Sequence, residues 1–400
     1  MITIHAALEI GTTNTVLAIS ESSGNGSPRV ICHAEIPSAG VRKSQIVDVK
    51  QVAQSIRAAI AQIEKKQAES GVKFSLGNVF LVASGQHIRA DQHQASVQID
   101  GGKVHDADRE AVVQSARDVE LPDDRELLDI AEQDYGVDQY GNIPDPRGMA
   151  GRMLKLNTLR IHAEHNRIQD ARTAAADSHL EIREPLFATT CAADAVLDDS
   201  ERRNGVLVLD LGGGSTGYAV YTDDYLRAAD VIGVGGDHVT NDIAIAFQTT
   251  TGQAEELKLR EASAVMTPGG ADGERIRLPG SNTLMESRTI SRRALDAVVN
   301  ARLKETFSII RECLEENDLA QRLHAGAVLT GGGASMRGIE ELAEHELGIP
   351  VRIGRPRYIE GFDAEKAPSR FCAISGALMY AHQNYPEKSL LNKLLGDFFR

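Results

Sequence analysis

The sequence predicts an α/β protein built from two related lobes, with a further α/β subdomain inserted in the first. Three observations carry this reading. The chain has 400 residues, too long for one compact core and enough for two to three folding units. A strand–turn–strand pattern around Gly11 returns around Gly212, and its acidic strand ends, Glu9 and Asp210, stand 210 − 9 = 201 residues apart, half the chain. Such an internal repeat of one hairpin points to two lobes of one ancestry. Each copy is followed by a helical stretch.

The elements follow in order. Ile2-Thr3-Ile4-His5-Ala6-Ala7-Leu8-Glu9-Ile10 and Thr15-Val16-Leu17-Ala18-Ile19 are β-rich runs on either side of Gly11-Thr12-Thr13-Asn14, which reads as a hairpin. From Val49 to Ala68, the residues Val52, Ile56, Ala59, Ile60 and Ile63 recur at helical spacing. Residues 86–162 read as an α/β insertion of short strands with one helix, Asp108 to Val119, followed by a Pro/Gly/Asp-rich loop from Asp134 to Met149. The second hairpin runs from Gly205 to Leu211, through Gly212-Gly213-Gly214-Ser215-Thr216-Gly217, into Tyr218-Ala219-Val220-Tyr221. Thr240-Asn241-Asp242 offers capping chemistry to a helix from Ile243 to Phe247. Thr267 to Arg288 is expected as a Gly/Pro-rich loop or short hairpin, and Ser291 as the cap of a long helix, Arg292 to Glu316. A strand from Ala325 to Leu329 leads into Thr330-Gly331-Gly332-Gly333-Ala334-Ser335, and a helix opens near Met336. The expected division is 1–85 and 163–204 for the first lobe, 86–162 for the insert and 205–370 for the second lobe. Residues 371–385 are expected to close the first lobe, ahead of an amphipathic tail at 386–400.

Composition narrows the function. Hydrophobic residues are 42% and charged residues 25%, a globular mixture that excludes a wholly disordered chain. Lys and Arg number 43 against 57 Asp and Glu, a net charge of −14. A body this acidic repels nucleic acid and anionic lipid at long range, so no nucleic-acid partner is expected and any membrane contact must be local. With no Trp and 4% aromatics, a stacking platform for single-stranded nucleic acid is excluded as well. The four cysteines, Cys32, Cys191, Cys313 and Cys372, are scattered without metal-ligand spacing, as expected of reduced thiols in a cytosolic protein. The first residues lack a signal-peptide pattern, and no apolar run approaches the ~18 residues of a spanning helix.

The glycines carry the chemistry. A glycine-rich turn after a buried strand lets backbone N–H groups crowd against phosphate oxygens, since no Cβ intervenes. Thr12, Thr13, Ser215 and Thr216 can add hydroxyl donors, with Gly11, Asn14, Gly212, Gly213 and Gly214 shaping the turns. Glu9 and Asp210, at the strand ends, stand where a carboxylate can hold hydrated Mg²⁺ against those phosphates. Gly331, Gly332, Gly333 and Ala334 offer a flat surface for a base. Glu255 and Lys258 are an i, i+3 pair, open to reading as an exposed helix pair or as a ligand contact. At the end of the chain, Leu390, Leu391, Leu394, Leu395, Phe398 and Phe399 fall on one side of a helix flanked by Lys388, Lys393 and Arg400. That pattern fits a helix lying in a membrane interface, and equally one closing a core or docking on a partner.

These residues together resemble the actin–Hsp70–sugar kinase superfamily of two-lobed ATPases, and within it the FtsA family of bacterial cell division. Ile10-Gly11-Thr12-Thr13-Asn14 is similar to its first phosphate loop, Asp210-Leu211-Gly212-Gly213-Gly214-Ser215-Thr216 to its second, and Leu329-Thr330-Gly331-Gly332-Gly333-Ala334 to its adenosine loop. Val234-Gly235-Gly236-Asp237-His238-Val239-Thr240-Asn241-Asp242-Ile243-Ala244 resembles the stretch after the second phosphate hairpin, which adds Gly235 and Gly236 to the site. Ala254-Glu255-Glu256-Leu257-Lys258 resembles the segment whose Glu and Lys reach the ribose and base. Ser84-Gly85-Gln86-His87-Ile88 and Tyr135-Gly136-Val137-Asp138 match as well, and the likeness runs from residue 2 to the C-terminus.

The resemblance implies an actin-like fold of duplicated RNase H-like domains with an FtsA-type insert. It implies an adaptor that binds ATP and Mg²⁺, forms homo-oligomeric filaments and tethers FtsZ to the cytoplasmic face of the cell membrane at the division site. The terminal helix is then the lipid anchor, and the insert meets other division proteins. Two departures favour nucleotide binding over efficient turnover: Glu9 stands where the family has Asp, and Gly217 where a later Asp is common. Glu184, before Pro185, is the candidate general base of a slow ATPase. The spacer from Gln383 to Glu387 is shorter than is common in the family. The alternatives are a soluble phosphotransferase of the superfamily, sugar kinase or exopolyphosphatase-like, and an ATP-binding adaptor of pilus assembly.

Overall fold

The structure is a computed structural model that describes residues 2–23, 27–71, 74–118, 120–266, 274–278, 288–362 and 368–386. Its contacts divide the chain into two units. One comprises Met1–Ser84, Asn166–Val196 and the chain from Gly354 on; the other comprises Gly85–His165 and Leu197–Ile353.

The first unit holds a five-stranded sheet in the order Glu181–Phe187, Asn78–Ala83, Ile2–Ile10, Asn14–Ser23, Arg29–Pro37. Ile2–Ile10 pairs antiparallel with Asn14–Ser23 and parallel with Asn78–Ala83. One face of this sheet is covered by the helix Val49–Ser70, whose Val52, Ile56, Ala59 and Ile63 pack with Leu8, Leu17 and Ile19. Asp48 starts that helix by accepting the Gln51 N–H, and Gly71, in the left-handed region at φ 71°, ends it. The helix Cys372–Asn384 packs on Ala188–Val196 so closely that a Cβ at Gly376 would stand 1.8 Å from the Cys191 carbonyl oxygen.

The second unit repeats the sheet: Tyr225–Ile232, Thr216–Thr222, Val206–Leu211, Ala327–Thr330, Val351–Ile353. Again the central strand pairs antiparallel with its hairpin partner and parallel with the next strand. Its core joins Leu207, Leu209, Val220 and Leu329 to Phe307, Ile310 and Leu314 of the helix Arg292–Glu316.

The insert belongs to this second unit by its contacts. Its sheet runs Ile88–Gln98, Met153–Glu164, Arg125–Val137, Tyr140–Ile143, and its helix, Asp106–Arg117, buries Val112 and Ala116 against Leu154, Leu156 and Tyr135. The strand Tyr225–Ile232 is held to it by an ion pair of Arg227 with Asp134 at 2.7 Å. Amide donation from Gln133 to the Leu226 carbonyl at 2.6 Å and from Gln92 to the Arg227 carbonyl at 2.9 Å adds to this.

Several expectations are corrected. The insert's strands are long, and Asp134–Met149 is not one loop, since Asp134–Val137 completes a strand and Tyr140–Ile143 is another. Pairing of Tyr135 and Val137 with Leu156 and Leu154 outweighs the turn-forming composition. The helix expected from Ile243 begins at Gly236, seven residues earlier. Ser291 stands at the start of Arg292–Glu316 but makes no side-chain cap. After the third glycine loop a short 3₁₀ turn, Gly332–Ser335, precedes a helix that begins at Ile339, not Met336. Between Thr267 and Arg288 the described part is the strand Arg275–Leu278, which pairs with Arg288–Ser291.

Candidate functional site

The two glycine turns share one geometry. The Gly11 N–H donates to the Asn14 carbonyl at 3.0 Å, and the Gly212 N–H to the Ser215 carbonyl at 3.0 Å. A Cβ on either glycine would stand 2.8 Å from that same oxygen, closer than any side-chain-bearing residue permits. The amides that follow, of Thr12 and Thr13 and of Gly213 and Gly214, donate to no acceptor among the described residues. Successive unpartnered amides in a tight turn form a nest for an anion.

The second turn is braced from behind. The helix Gly236–Ala246 directs its first two amides into it: Gly236 N–H to the Gly212 carbonyl at 3.0 Å and Asp237 N–H to the Gly213 carbonyl at 2.8 Å. This is why the helix starts early, for its opening donors are satisfied by the turn and not by a Ser, Thr or Asp cap. Gly235 is extended, at φ −156°; what it needs is room. A Cβ there would lie 2.6 Å from the Gly213 oxygen and 2.7 Å from the Gly212 oxygen and the Ser215 nitrogen. Thr216, expected as a ligand donor, is 1% exposed and donates its hydroxyl to the Val234 carbonyl at 2.8 Å. It holds the same brace.

Glu255 and Lys258 lie on the next helix, Thr251–Arg260, which Thr250 caps. The structure brings both to Thr240, and Lys258 also to Gly236. The Lys258 ammonium donates to the Gly236 carbonyl at 3.1 Å and the Thr240 hydroxyl at 2.8 Å, and pairs with Glu255 at 2.7 Å. Its side chain is only 10% exposed, whereas that of Glu255 is 32% exposed. Thr240 in turn donates to Glu255 at 2.5 Å. Burial pushes the nearby Asp237 carboxyl up.

Asp210 is the penultimate residue of its strand, as Glu9 is of the equivalent one. Burial pushes its carboxyl up to about 6, opposed by the Thr330 hydroxyl 3.5 Å away. Sequence reasoning missed Thr330 as its partner, although the position directly before Gly331 is the one that parallel pairing sets beside Asp210. Gly331 has φ 79°, and a Cβ there would meet the Asp210 Oδ1 at 2.6 Å. At Gly332 a Cβ would meet nothing within 4 Å, which leaves an open glycine face. Ala334 is not part of that face; it is buried in the core beneath the loop.

Nucleotide chemistry fits these residues. The unpartnered amides suit phosphate oxygens, and a carboxylate at the end of each central strand, Glu9 in one unit and Asp210 in the other, is of a kind that suits a cation bound through water. Among the described residues no three His, Cys, Asp or Glu side chains group to hold a metal. Glu184 sits mid-strand, paired in register with Phe80, and accepts the Tyr380 hydroxyl at 2.8 Å and the Tyr385 hydroxyl at 2.7 Å. Leu390, Leu391, Leu394, Leu395, Phe398 and Phe399 lie outside the described residues. No described helix is long and apolar enough to cross a membrane.

Two family models match the chain: "Cell division protein FtsA" over residues 207–375 and "SHS2 domain inserted in FTSA" over residues 85–162. The cell division protein FtsA of Pseudomonas aeruginosa is 34% identical over 377 residues, covering 94% of this chain and 88% of that protein. That of Escherichia coli K12 is 30% identical over 385 residues, covering 94% and 90%. Among solved structures, a PilM–PilN type IV pilus biogenesis complex aligns with a TM-score of 0.65 at 18% identity, over 94% of this chain and 97% of that one. MreB5 of Spiroplasma citri bound to ADP aligns with a TM-score of 0.54 at 16% identity, over 95% and 97%. These two likenesses place the fold in the actin-like class.

Proposed function

The chain belongs to the FtsA family of cell-division proteins, and on that premise we propose that it is an ATP-binding adaptor that polymerises at the membrane and tethers FtsZ to its cytoplasmic face at the division site. The observation that carries the nucleotide half is the braced glycine turn, with the amides of Gly213 and Gly214 left without acceptors among the described residues. These amides would take phosphate oxygens, and the equivalent amides of Thr12 and Thr13 would do the same in their own turn. Lys258 and Glu255 act by locking the helix that backs the turn, and Glu255, the more exposed of the two, would be the one to meet a ribose hydroxyl. Gly332 presents the bare surface on which a base can lie. Bound Mg²⁺ would supply charge neutralisation on the phosphates, with Asp210 and Glu9 as water-mediated carboxylates.

Turnover is the lesser part of this reading. With both Glu184 oxygens taken by tyrosines, ATP acts chiefly as a structural ligand whose binding sets polymer competence. The membrane half rests on the sequence of the tail, where six large apolar side chains at ~1.5–3 kcal/mol each outweigh the repulsion of an acidic body. Sedimentation with lipid vesicles is the test. ATP-dependent pelleting of polymer with the vesicles supports the reading, and ATP consumption stimulated by a small-molecule acceptor without assembly overturns it.

A further inference from the structure

The Gly11–Asn14 turn carries a second layer that the site described above does not use. Val41–Arg42 and Gln45–Ile46 form a small antiparallel hairpin. Its two-residue turn is Lys43–Ser44, with φ 49° and 57°. Two consecutive left-handed residues make the primed turn that asparagine and glycine normally fill. Lys and Ser at those positions carry backbone strain, which persists only where the surroundings enforce it.

The surroundings here are the phosphate turn. The Ser44 N–H donates to the Thr12 hydroxyl oxygen at 2.9 Å, and the two hydroxyls are 3.4 Å apart. On the strand side of the hairpin, the Ser38 N–H donates to the Thr13 carbonyl at 2.9 Å, and its hydroxyl meets that of Thr15 at 2.8 Å. The segment is folded back tightly: Gly40, at φ 77°, accepts the amides of Val47 and Asp48, and a Cβ on it would lie 2.3 Å from the Asp48 oxygen. Arg42 and Lys43 are exposed and have no carboxylate partner among the described residues. Lys43, next in the chain to the Ser44 whose amide meets Thr12, is thus a cation without a carboxylate partner one residue from the turn whose amides lack acceptors.

We propose that the Lys43–Ser44 turn is a further part of the polyphosphate site, in which Lys43 contacts a phosphate of the nucleotide and Ser44 is a positioning residue that holds the Thr12 hydroxyl in place. This rests on the reading of Gly11–Asn14 as a phosphate turn. A lysine on a flexible four-carbon stem is a point charge able to follow a phosphate that the amide nest has already fixed. The strain in the turn is then retained because it brings the Ser44 amide onto Thr12.

Equilibrium titration of the full chain with Mg·ATP, at low and high salt, is the test. Lys43→Ala is expected to weaken ATP binding about tenfold at low salt, with Lys43→Arg close to wild type and the difference shrinking as salt rises. Thr12→Val is expected to weaken binding and to lower the melting temperature, as the Ser44 amide loses its acceptor, and Thr12→Ser, which keeps the hydroxyl, to restore both. If Gly213→Val abolishes ATP binding while Lys43→Ala and Lys43→Glu bind as wild type, the proposal is overturned and the phosphate-turn reading survives. If the wild-type chain does not bind ATP, both fall together.

Discussion

Lys258 donates to the Thr240 hydroxyl at 2.8 Å across two helices, so a side chain that looks like half of a surface ion pair in the sequence is in fact the bolt behind the second glycine turn. With Glu255 and the Gly236 carbonyl as its other partners, it fixes the start of the helix whose first amides hold the turn closed. Replacing it with alanine removes the ion pair of Glu255 and one donor each from the Gly236 carbonyl and the Thr240 hydroxyl. Lys258→Ala is expected to cost about 1–3 kcal/mol of stability and to weaken ATP binding, read by thermal melts and nucleotide titration. Unchanged ATP affinity would show that the brace has no bearing on the ligand.

Gly235 and Gly332 make a matched pair for substitution. The backbone atoms around Gly235 lie 2.6–2.7 Å from where a methyl carbon would stand, and backbone cannot yield as a side chain can. Gly235→Ala is expected to destabilise by about 1–3 kcal/mol or more. Gly332→Ala meets nothing within 4 Å and should melt as wild type, while losing ATP affinity because the methyl occupies the open face. Equal melting of the two variants by calorimetry would contradict the packing account.

Glu184 tests structure against catalysis. A general base contributes roughly 10²–10⁴-fold to rate, so if Glu184 were one its loss would slow turnover by about that factor. With two tyrosine hydroxyls donating to it and Arg183 stacked 3.8 Å from the Tyr385 ring, the expected effect of Glu184→Gln is a loss of about 1–3 kcal/mol in stability. Whatever ATPase rate the protein has should persist. Phosphate release from the variant and its melting curve separate the two outcomes.

His382 gives the fold an acid limit. Burial, and His5 with its ring centroid 4.7 Å away, lower its pKa to about 4. Unfolded, the same imidazole takes up a proton near its ordinary value of 6.5. The unfolded chain therefore binds the extra proton between these values, and stability falls as pH drops from about 6.5 to 4. The Ser20 hydroxyl lies 2.9 Å from the His382 Nε2; His382→Gln, which can still bond to it, is expected to flatten that part of the melting temperature–pH curve. An unchanged slope would assign the acid loss to other groups.

Much of this was legible in the sequence because it is local. The repeated hairpin shows itself in runs of β-rich residues around a glycine turn, and the helix Val49–Ser70 in its apolar spacing. What was illegible depended on distant partners. The helix at Gly236 lacks helix-forming residues at its start because the carbonyls of Gly212 and Gly213 supply what a cap would. Asp134 reads as a loop residue until Arg227, 93 positions on, pairs with it. Thr216 reads as a phosphate ligand until Val234 takes its hydroxyl. Lys43 and Ser44 carry no glycine or asparagine to announce a primed turn; only the fold imposes one.

Nucleotide, lipid and FtsZ are proposed to meet on one chain, and vesicle flotation with purified FtsZ tests this most directly. With ATP, the wild-type protein is expected to carry FtsZ up the gradient with vesicles of phosphatidylethanolamine and phosphatidylglycerol. A Leu394→Glu/Phe398→Glu variant, folded and still binding ATP, should leave FtsZ at the bottom. FtsZ that floats equally with both proteins, or with neither, would contradict the account.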